Sequence, residues 1–169
     1  MQRQHRKAFT LIEVLIVVTI LGILAATVLP QFSASSAEAQ QATLMHNLQI
    51  LRGQIAMYKS QHGSYPAQTA TVSQDFKNAL LLATDAKGNS GGTGLKPFGP
   101  YIVGQLPNNP FTNGKGVKMV NAPISSTTPD ETAMDGTDNV GWIYSPTEGL
   151  LKANNVGLAS DGVTPLINL

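Results

Sequence analysis

The chain has 169 residues, 42% of them hydrophobic and only 12% charged, against about 25% charged in an average soluble domain. Its 11 basic and 10 acidic side chains give a formal charge of +1 with no basic block in the body, which argues against a nucleic-acid binder. The absence of cysteine excludes a disulfide scaffold, a thiolate zinc site and a thiol nucleophile.

The charge is unevenly spread. Residues 1–8 (MQRQHRKA) hold Arg3, Arg6 and Lys7 and no acid, while residues 9–29 hold a single charge, Glu13. The first eight residues therefore read as a short basic leader, distinct from the body that follows. Residues 9–29 are 21 mostly apolar residues, roughly 31 Å of helix at about 1.5 Å per residue, which matches a hydrocarbon core about 30 Å thick. A transmembrane helix is expected there, and the positive charge ahead of it predicts a cytoplasmic N-terminus.

Residues 30–62 turn polar but keep a helical pattern. Leu44, Leu48, Leu51, Ile55 and Tyr58 recur at steps of 4, 3, 4 and 3, the spacing of one apolar stripe on an amphipathic helix. Nothing after Pro30 stops a helix before Gly63, a C′ glycine with Pro66 beyond it. A single helix over 9–62 is expected, bent at Pro30, where a backbone hydrogen bond is lost.

Residues 63–169 are rich in Gly, Pro, Ser, Thr and Asn. The stretch 73–84 reads as a short helix with Ser73 as its N-cap, and 86–99 as a glycine-rich loop. Candidate strands are 101–103, 116–121, 140–145 and 150–153, with a turn at 145–149 and a loop over 122–139. Val140, Trp142 and Tyr144 alternate with Gly141 and Ile143, the pattern of a half-buried strand. Strands that follow a helix through short connections predict an α+β fold, with a small antiparallel sheet packed on the helix's apolar stripe. There is no internal repeat.

Catalytic motifs do not survive inspection. Gly88-Asn89-Ser90-Gly91-Gly92 has the form of a nucleophile elbow, but that motif needs a strand before it, a helix after it and a later histidine. No histidine follows His62. His5 is in the leader, and His46 and His62 are too far apart for an i, i+4 metal pair; both read as solvent-facing. The pattern begun at Gly92-Thr93-Gly94 stops at Pro97, and there is no phosphate loop. No enzymatic activity and no cofactor are expected. Asp130, Asp135 and Asp138 cluster with Glu131 in a loop, where hard oxygen ligands can hold calcium. The spacing matches no EF-hand, and a solvated acidic loop competes with the metal reading.

Three readings fit residues 1–29. A secretory signal has the basic start but a shorter apolar stretch. A plain signal anchor fits the length but leaves Glu13 unexplained, since a carboxylate at a membrane-helix centre costs about 2.5–3.5 kcal/mol on insertion scales. The third reading rests on Lys7-Ala8-Phe9-Thr10-Leu11-Ile12-Glu13, which resembles the signal sequence of type IV pilins and pseudopilins. The resemblance implies cleavage between Ala8 and Phe9 by a prepilin peptidase on the cytoplasmic side, and N-methylation of the new Phe9 terminus. Glycine usually precedes the cut in that family, and Ala8 stands in its place. Gly22 and Pro30 fall where many pilins carry glycine and proline, and with Glu13 they are the implied assembly residues. Cleavage would leave a positive amine in an apolar layer, a state that a nearby carboxylate relieves. Glu13 cannot easily reach its own amine while helical, so a neighbouring subunit's amine is the implied partner.

A second, looser resemblance runs through Tyr58, Gly63-Ser64-Tyr65-Pro66, Tyr101, Leu106 to Phe111, Gly141 to Tyr144, and Gly149 with Lys152-Ala153-Asn154. It is similar to type II secretion pseudopilins related to the major subunit, some of which bind calcium near the C-terminal loop. The resemblance implies a type IV pilin-like fold and four segments: leader 1–8, polymerisation helix 9–29, amphipathic continuation 30–62 and periplasmic domain 63–169. It implies a single-pass inner-membrane precursor that joins copies of itself and related pseudopilins in a filament. An assembly platform and its ATPase would drive that step. The alternatives are a type IV pilus pilin for surface display, motility or DNA uptake, and a monomeric membrane-anchored periplasmic binding domain.

Overall fold

The computed structural model describes residues 9–69, 72–121, 123–136 and 138–169. In chain order the elements are α1 (Leu11–His62), α2 (Ser73–Leu81), β1 (Gly116–Met119), a 3-10 turn at Ile124–Ser126, β2 (Met134–Asp135), β3 (Asp138–Ser145), β4 (Leu150–Ala153) and a second 3-10 turn at Leu166–Asn168. Helix α1 runs through Pro30 and stops at Gly63, which adopts φ of +73° while its amide donates to the Lys59 carbonyl at 2.8 Å. That left-handed step is the one glycine takes without a Cβ penalty. The chain divides into two compact units, Met1–Glu38 and Ala39–Leu169.

In the first unit α1 is a bare apolar helix. Leu11–Val28 has a mean hydropathy of 2.7 and none of it is buried within the chain. Among the described residues it is the single helix long and apolar enough to cross a membrane.

In the second unit the expected stripe is the core. Leu44, Leu48, Leu51, Ile55 and Tyr58 are all buried, in one cluster with Phe76 and Leu80 of α2 and with Trp142, Tyr144, Leu151 and Ala153 of the sheet. Trp142 has no exposed surface, and its indole N–H donates to the Pro107 carbonyl at 2.9 Å. Tyr144 packs on Phe76 with ring centroids 4.3 Å apart, and its hydroxyl donates to the Pro66 carbonyl at 3.0 Å. Burial, with smaller contributions from Tyr65 and Tyr58, pushes the Tyr144 phenol far above its ordinary range.

The α+β class and the helix-on-sheet arrangement are as the sequence predicts, but the sheet is mixed, not antiparallel. β3 is central. β1 lies along one side of it in parallel, from Gly116 opposite Val140 to Met119 opposite Tyr144, while β2 and β4 pair with it antiparallel. Parallel strands need a crossover of about a dozen residues or more, and the stretch after Met119 supplies it. That stretch, expected to be a loop, contains the Ile124–Ser126 turn and β2, and its end already belongs to β3. The crossover also changes the burial of β3. Alternation predicts one wet face, yet Val140 through Ser145 are all buried. Successive side chains of a strand point to opposite faces, so Ile143 faces away from Trp142 and Tyr144. It is fully buried on the side where the Ile124 turn packs against β3.

Four local expectations are corrected. Residues 101–103 form no strand; the amides of Tyr101 and Ile102 both donate to the Leu80 carbonyl, at 2.9 and 3.0 Å, and so finish the end of α2 instead. The short helix stops at Leu81, after which Thr84 pairs with Phe98 in an isolated bridge. Val72 takes the N-cap position, and the Ser73 hydroxyl donates to Asp135 across the fold. His62 is half-buried, not solvent-facing: its ring lies 4.1 Å from that of Tyr58, and Nε2 sits 3.0 Å from the Tyr101 hydroxyl and 3.1 Å from that of Thr84. His46 is exposed.

Candidate assembly site at the head of the N-terminal helix

Thr10 precedes the first helical residue, Leu11, and Glu13 is the third residue of the helix. That spacing is a capping box, in which an N-cap hydroxyl and a third-residue carboxylate satisfy each other's free backbone amides. Here the Glu13 amide donates to the Thr10 hydroxyl oxygen at 3.3 Å. In return the Thr10 amide and hydroxyl donate to Glu13 Oε2 at 3.4 and 3.3 Å. The distances are long, as befits an exposed helix end. The carboxylate also sits where the helix dipole favours negative charge. Residue spacing alone contains this signal, Thr-x-x-Glu before an apolar run, but the sequence reading above left Thr10 without a role.

The rest of the apolar stretch has its polar groups settled within the helix. Thr19 donates to the Leu15 carbonyl at 2.7 Å and Thr27 to the Leu24 carbonyl at 3.0 Å. In hydrocarbon, polar groups must find such internal partners. Phe9 is 82% exposed at the head of the helix. A Cβ added to Gly22 meets nothing within 4 Å, so nothing inside this chain requires glycine there. Pro30 lies within α1, and Ala8 lies outside the described residues.

The acidic candidates are elsewhere and are separately engaged. Asp135 sits between Lys77, 2.6 Å away, the Ser73 hydroxyl, and the Val117 amide at 3.0 Å. Burial works against its charge, but those donors outweigh it and hold the carboxyl below the usual aspartate range. Asp138 approaches the same lysine at 3.8 Å. Asp130 accepts from the amide and hydroxyl of its neighbour Thr132, at 3.1 and 2.7 Å, and Glu131 accepts from the Val156 amide at 3.0 Å. Asp135 and Asp138 are thus gathered around an ammonium group, and Asp130 turns away to its own loop. Among the described residues no group of three or more His, Cys, Asp or Glu side chains is placed to hold a metal ion.

Residues 3–29 match the prokaryotic N-terminal methylation motif. Over 108 residues the chain is 34% identical to type II secretion system core protein G of Klebsiella pneumoniae, covering 64% of this chain and 71% of that protein. The chain belongs to the pseudopilin-like type IV pilin family. A core protein G of Pseudomonas aeruginosa is 39% identical over 67 residues, which take in 40% of this chain and 47% of that protein. The fimbrial protein EcpC of Eikenella corrodens is 34% identical over 97 residues, 54% of this chain and 62% of that one. The pseudopilin-like chain thus spans about half the length of some curated relatives and more of others. No solved structure matches it. Its place in the family makes it a structural component of a secretion or pilus system, with an apolar N-terminal helix long enough to anchor it in a membrane.

Proposed function

We propose that this protein is a subunit of a type II secretion-type pseudopilus. The observation that carries the proposal is the head of α1, where a single carboxylate is held at the first turn of an 18-residue apolar helix that its own chain leaves uncovered. A prepilin peptidase cuts the precursor between Ala8 and Phe9, and Phe9 is N-methylated. The precursor sits in the inner membrane with its N-terminus cytoplasmic and its C-terminal domain outside. Mature subunits leave the bilayer and stack through residues 9–29 with copies of themselves and related pseudopilins. Glu13 then meets the amine of a neighbour's Phe9, Gly22 lies at the packing face, and Pro30 shapes the helix beyond it. The role is structural, not enzymatic, and the work of extraction falls to an assembly platform and its ATPase.

Mass spectrometry of the mature N-terminus, with and without the cognate peptidase, tests the processing step. N-methylated Phe9 is the expected start; a start near residue 28 overturns the proposal in favour of a soluble exported domain. Glu13→Ala should abolish filaments, and a silent Glu13→Ala would point to a monomeric tethered domain. The similarity to fimbrial proteins as well as core protein G favours one second reading, a type IV pilus pilin with the same polymer chemistry. Deletion separates the two: loss of export indicates the pseudopilus, and loss of surface fibres the pilus.

A further inference from the structure

Charge along the long helix is sparse and sorted by sign. Between Glu13 and Arg52 the chain holds a single Asp, Glu, Lys or Arg, which is Glu38; from Ala39 to Gln74 it holds Arg52 and Lys59 and no acid. Those two cations line a groove of about 560 Å³ in the second unit, with Ala56, Ser60, Gly63 and Gly149 between and beside them. The Arg52 guanidinium donates through Nε and Nη2 to the Leu151 carbonyl and through Nη1 to that of Leu169, which leaves part of its N–H fork free. The Lys59 ammonium donates to the Tyr65 hydroxyl at 2.7 Å and lies 3.9 Å from the centre of that ring, and it has further protons to give. Among the described residues neither cation pairs with an aspartate or glutamate side chain.

Glu38 is the complementary group. It is exposed and forms no ion pair among the described residues. Its neighbours Ser35, Ser36, Ala37 and Ala39 are small, and small side chains let two helix backbones approach closely. On the other surface Ala56, Ser60 and Gly63 add no bulk between the cations. The two surfaces therefore match in sign and in shape, and matched charge is what fixes register between protein surfaces. Glu38 cannot serve the groove of its own chain: it precedes Arg52 by 14 residues of the same helix, about 21 Å at about 1.5 Å per residue. A second copy, lying parallel and shifted by about that length or a little more, brings its own Glu38 there. A free phosphate has the right sign but no surface to lie against Ala56 and Gly63. We propose that Glu38 of one copy docks between Arg52 and Lys59 of another, a second contact between subunits away from the Glu13 head. The inference rests on the filament reading above.

The test uses filaments of the full chain, made in cells that supply the cognate peptidase and assembly machinery. The chain has no cysteine, so Ala37→Cys with Ala56→Cys introduces the only thiols and leaves every charge in place. Oxidation should link the subunits into a ladder of multimers on a non-reducing gel, and neither single variant should give more than a dimer. Glu38→Lys should cut the yield of pelleted filaments about tenfold, because like charges then face each other across the contact. Adding Lys59→Glu to that variant should restore most of the yield, a rescue that a general helix defect would not show; Arg52 is left alone because it also ties Leu151 and Leu169. Filaments that form without the ladder, a Glu38→Lys variant that assembles normally, or a loss that Lys59→Glu does not restore would each overturn the inference and leave the Glu13 pairing untouched. A wild type that forms no filament at all overturns the assembly reading itself, and this inference with it.

Discussion

Thr10 and Glu13 illustrate how much a single residue pair carries. In the single chain the Glu13 carboxylate accepts from the Thr10 amide and hydroxyl, so the proposed pairing with a neighbour's amine would compete with, or add to, an existing cap. Removing an N-cap side chain costs about 1 kcal/mol. Thr10→Ala should therefore fray the first turn of α1, seen as faster amide exchange at Ile12 and Glu13 in micelles, while the fold of the second unit stays intact. Two glycines give opposite forecasts. Gly149 has φ of +68°, and an added Cβ would lie 2.1 Å from the Tyr65 ring. Gly149→Ala should thus lower stability by well over 1 kcal/mol, through both a disfavoured backbone and a collision, visible as a drop in Tm. Gly22→Ala has no neighbour to meet and gains helix propensity, since glycine is about 1 kcal/mol worse than alanine in a helix. It should leave subunit folding unharmed, so any defect it causes in filaments must arise between subunits.

At the scale of elements, α2 is held to the sheet by one polar knot. Lys77 of α2 reaches Asp135 of β2, Ser73 donates to the same carboxylate, and that carboxylate accepts from the Val117 amide of β1. Because the folded state holds Asp135 below its ordinary range of about 3.9, the unfolded chain binds that proton more readily. The stability this contributes is complete above the ordinary range and is lost as pH falls through the lower folded value. Thermal unfolding of the wild type should accordingly be flat near neutrality and weaken below about pH 4. Asp130, Asp85 and Asp161, also held low by local hydrogen bonds, add to the same trend. Asp135→Asn should be less stable at neutral pH, with the gap from wild type closing in acid. A constant gap across pH would contradict the role given to this carboxylate. None of the knot was legible beforehand. The acidic cluster at 130–138 was visible as composition, but the lysine that claims it lies some 60 residues away on another element.

At the scale of the whole second unit, the loops are stitched by buried asparagines. Asn154 has no exposed surface; it donates to the carbonyls of Asp130 and Val140 at 2.6 and 2.9 Å and accepts from the Asp130 amide at 2.7 Å. Asn109, equally buried, bonds the Gly141 carbonyl and Asn155. Arg52 adds a tie between the helix and the C-terminal part of the unit, donating to the Leu151 carbonyl through Nε and Nη2 and to the Leu169 carbonyl through Nη1. Each buried partner left unsatisfied costs about 1–3 kcal/mol. Asn154→Ala should therefore cost several kcal/mol, comparable with the roughly 3–5 kcal/mol expected of Trp142→Ala. Both variants should unfold at clearly lower temperature than wild type, and an unchanged melting curve for Asn154→Ala would mean that water replaces the side chain.

What could be read without coordinates follows from local physics. The basic start of the sequence, the apolar stretch ending at Val28 or Leu29, the stripe from Leu44 to Tyr58 and the stop at Gly63 depend on local charge, hydropathy, periodicity or one residue's backbone freedom. Those signals lie within a few turns of chain, and they suffice to place the family and the long helix. The capping box of Thr10 and Glu13 is equally local, since its two members lie three residues apart. The direction of β1, the two-sided burial of β3, the partner of Asp135, the half-buried seat of His62 and the groove that Gly149 completes beside Arg52 are different in kind. Each depends on which distant segment arrives next to it, and hydrogen-bond pairing and side-chain burial between segments tens of residues apart leave no period in the chain. The α+β architecture was therefore written in the order of residues, while its mixed sheet and its polar interior came only from closing those long-range contacts.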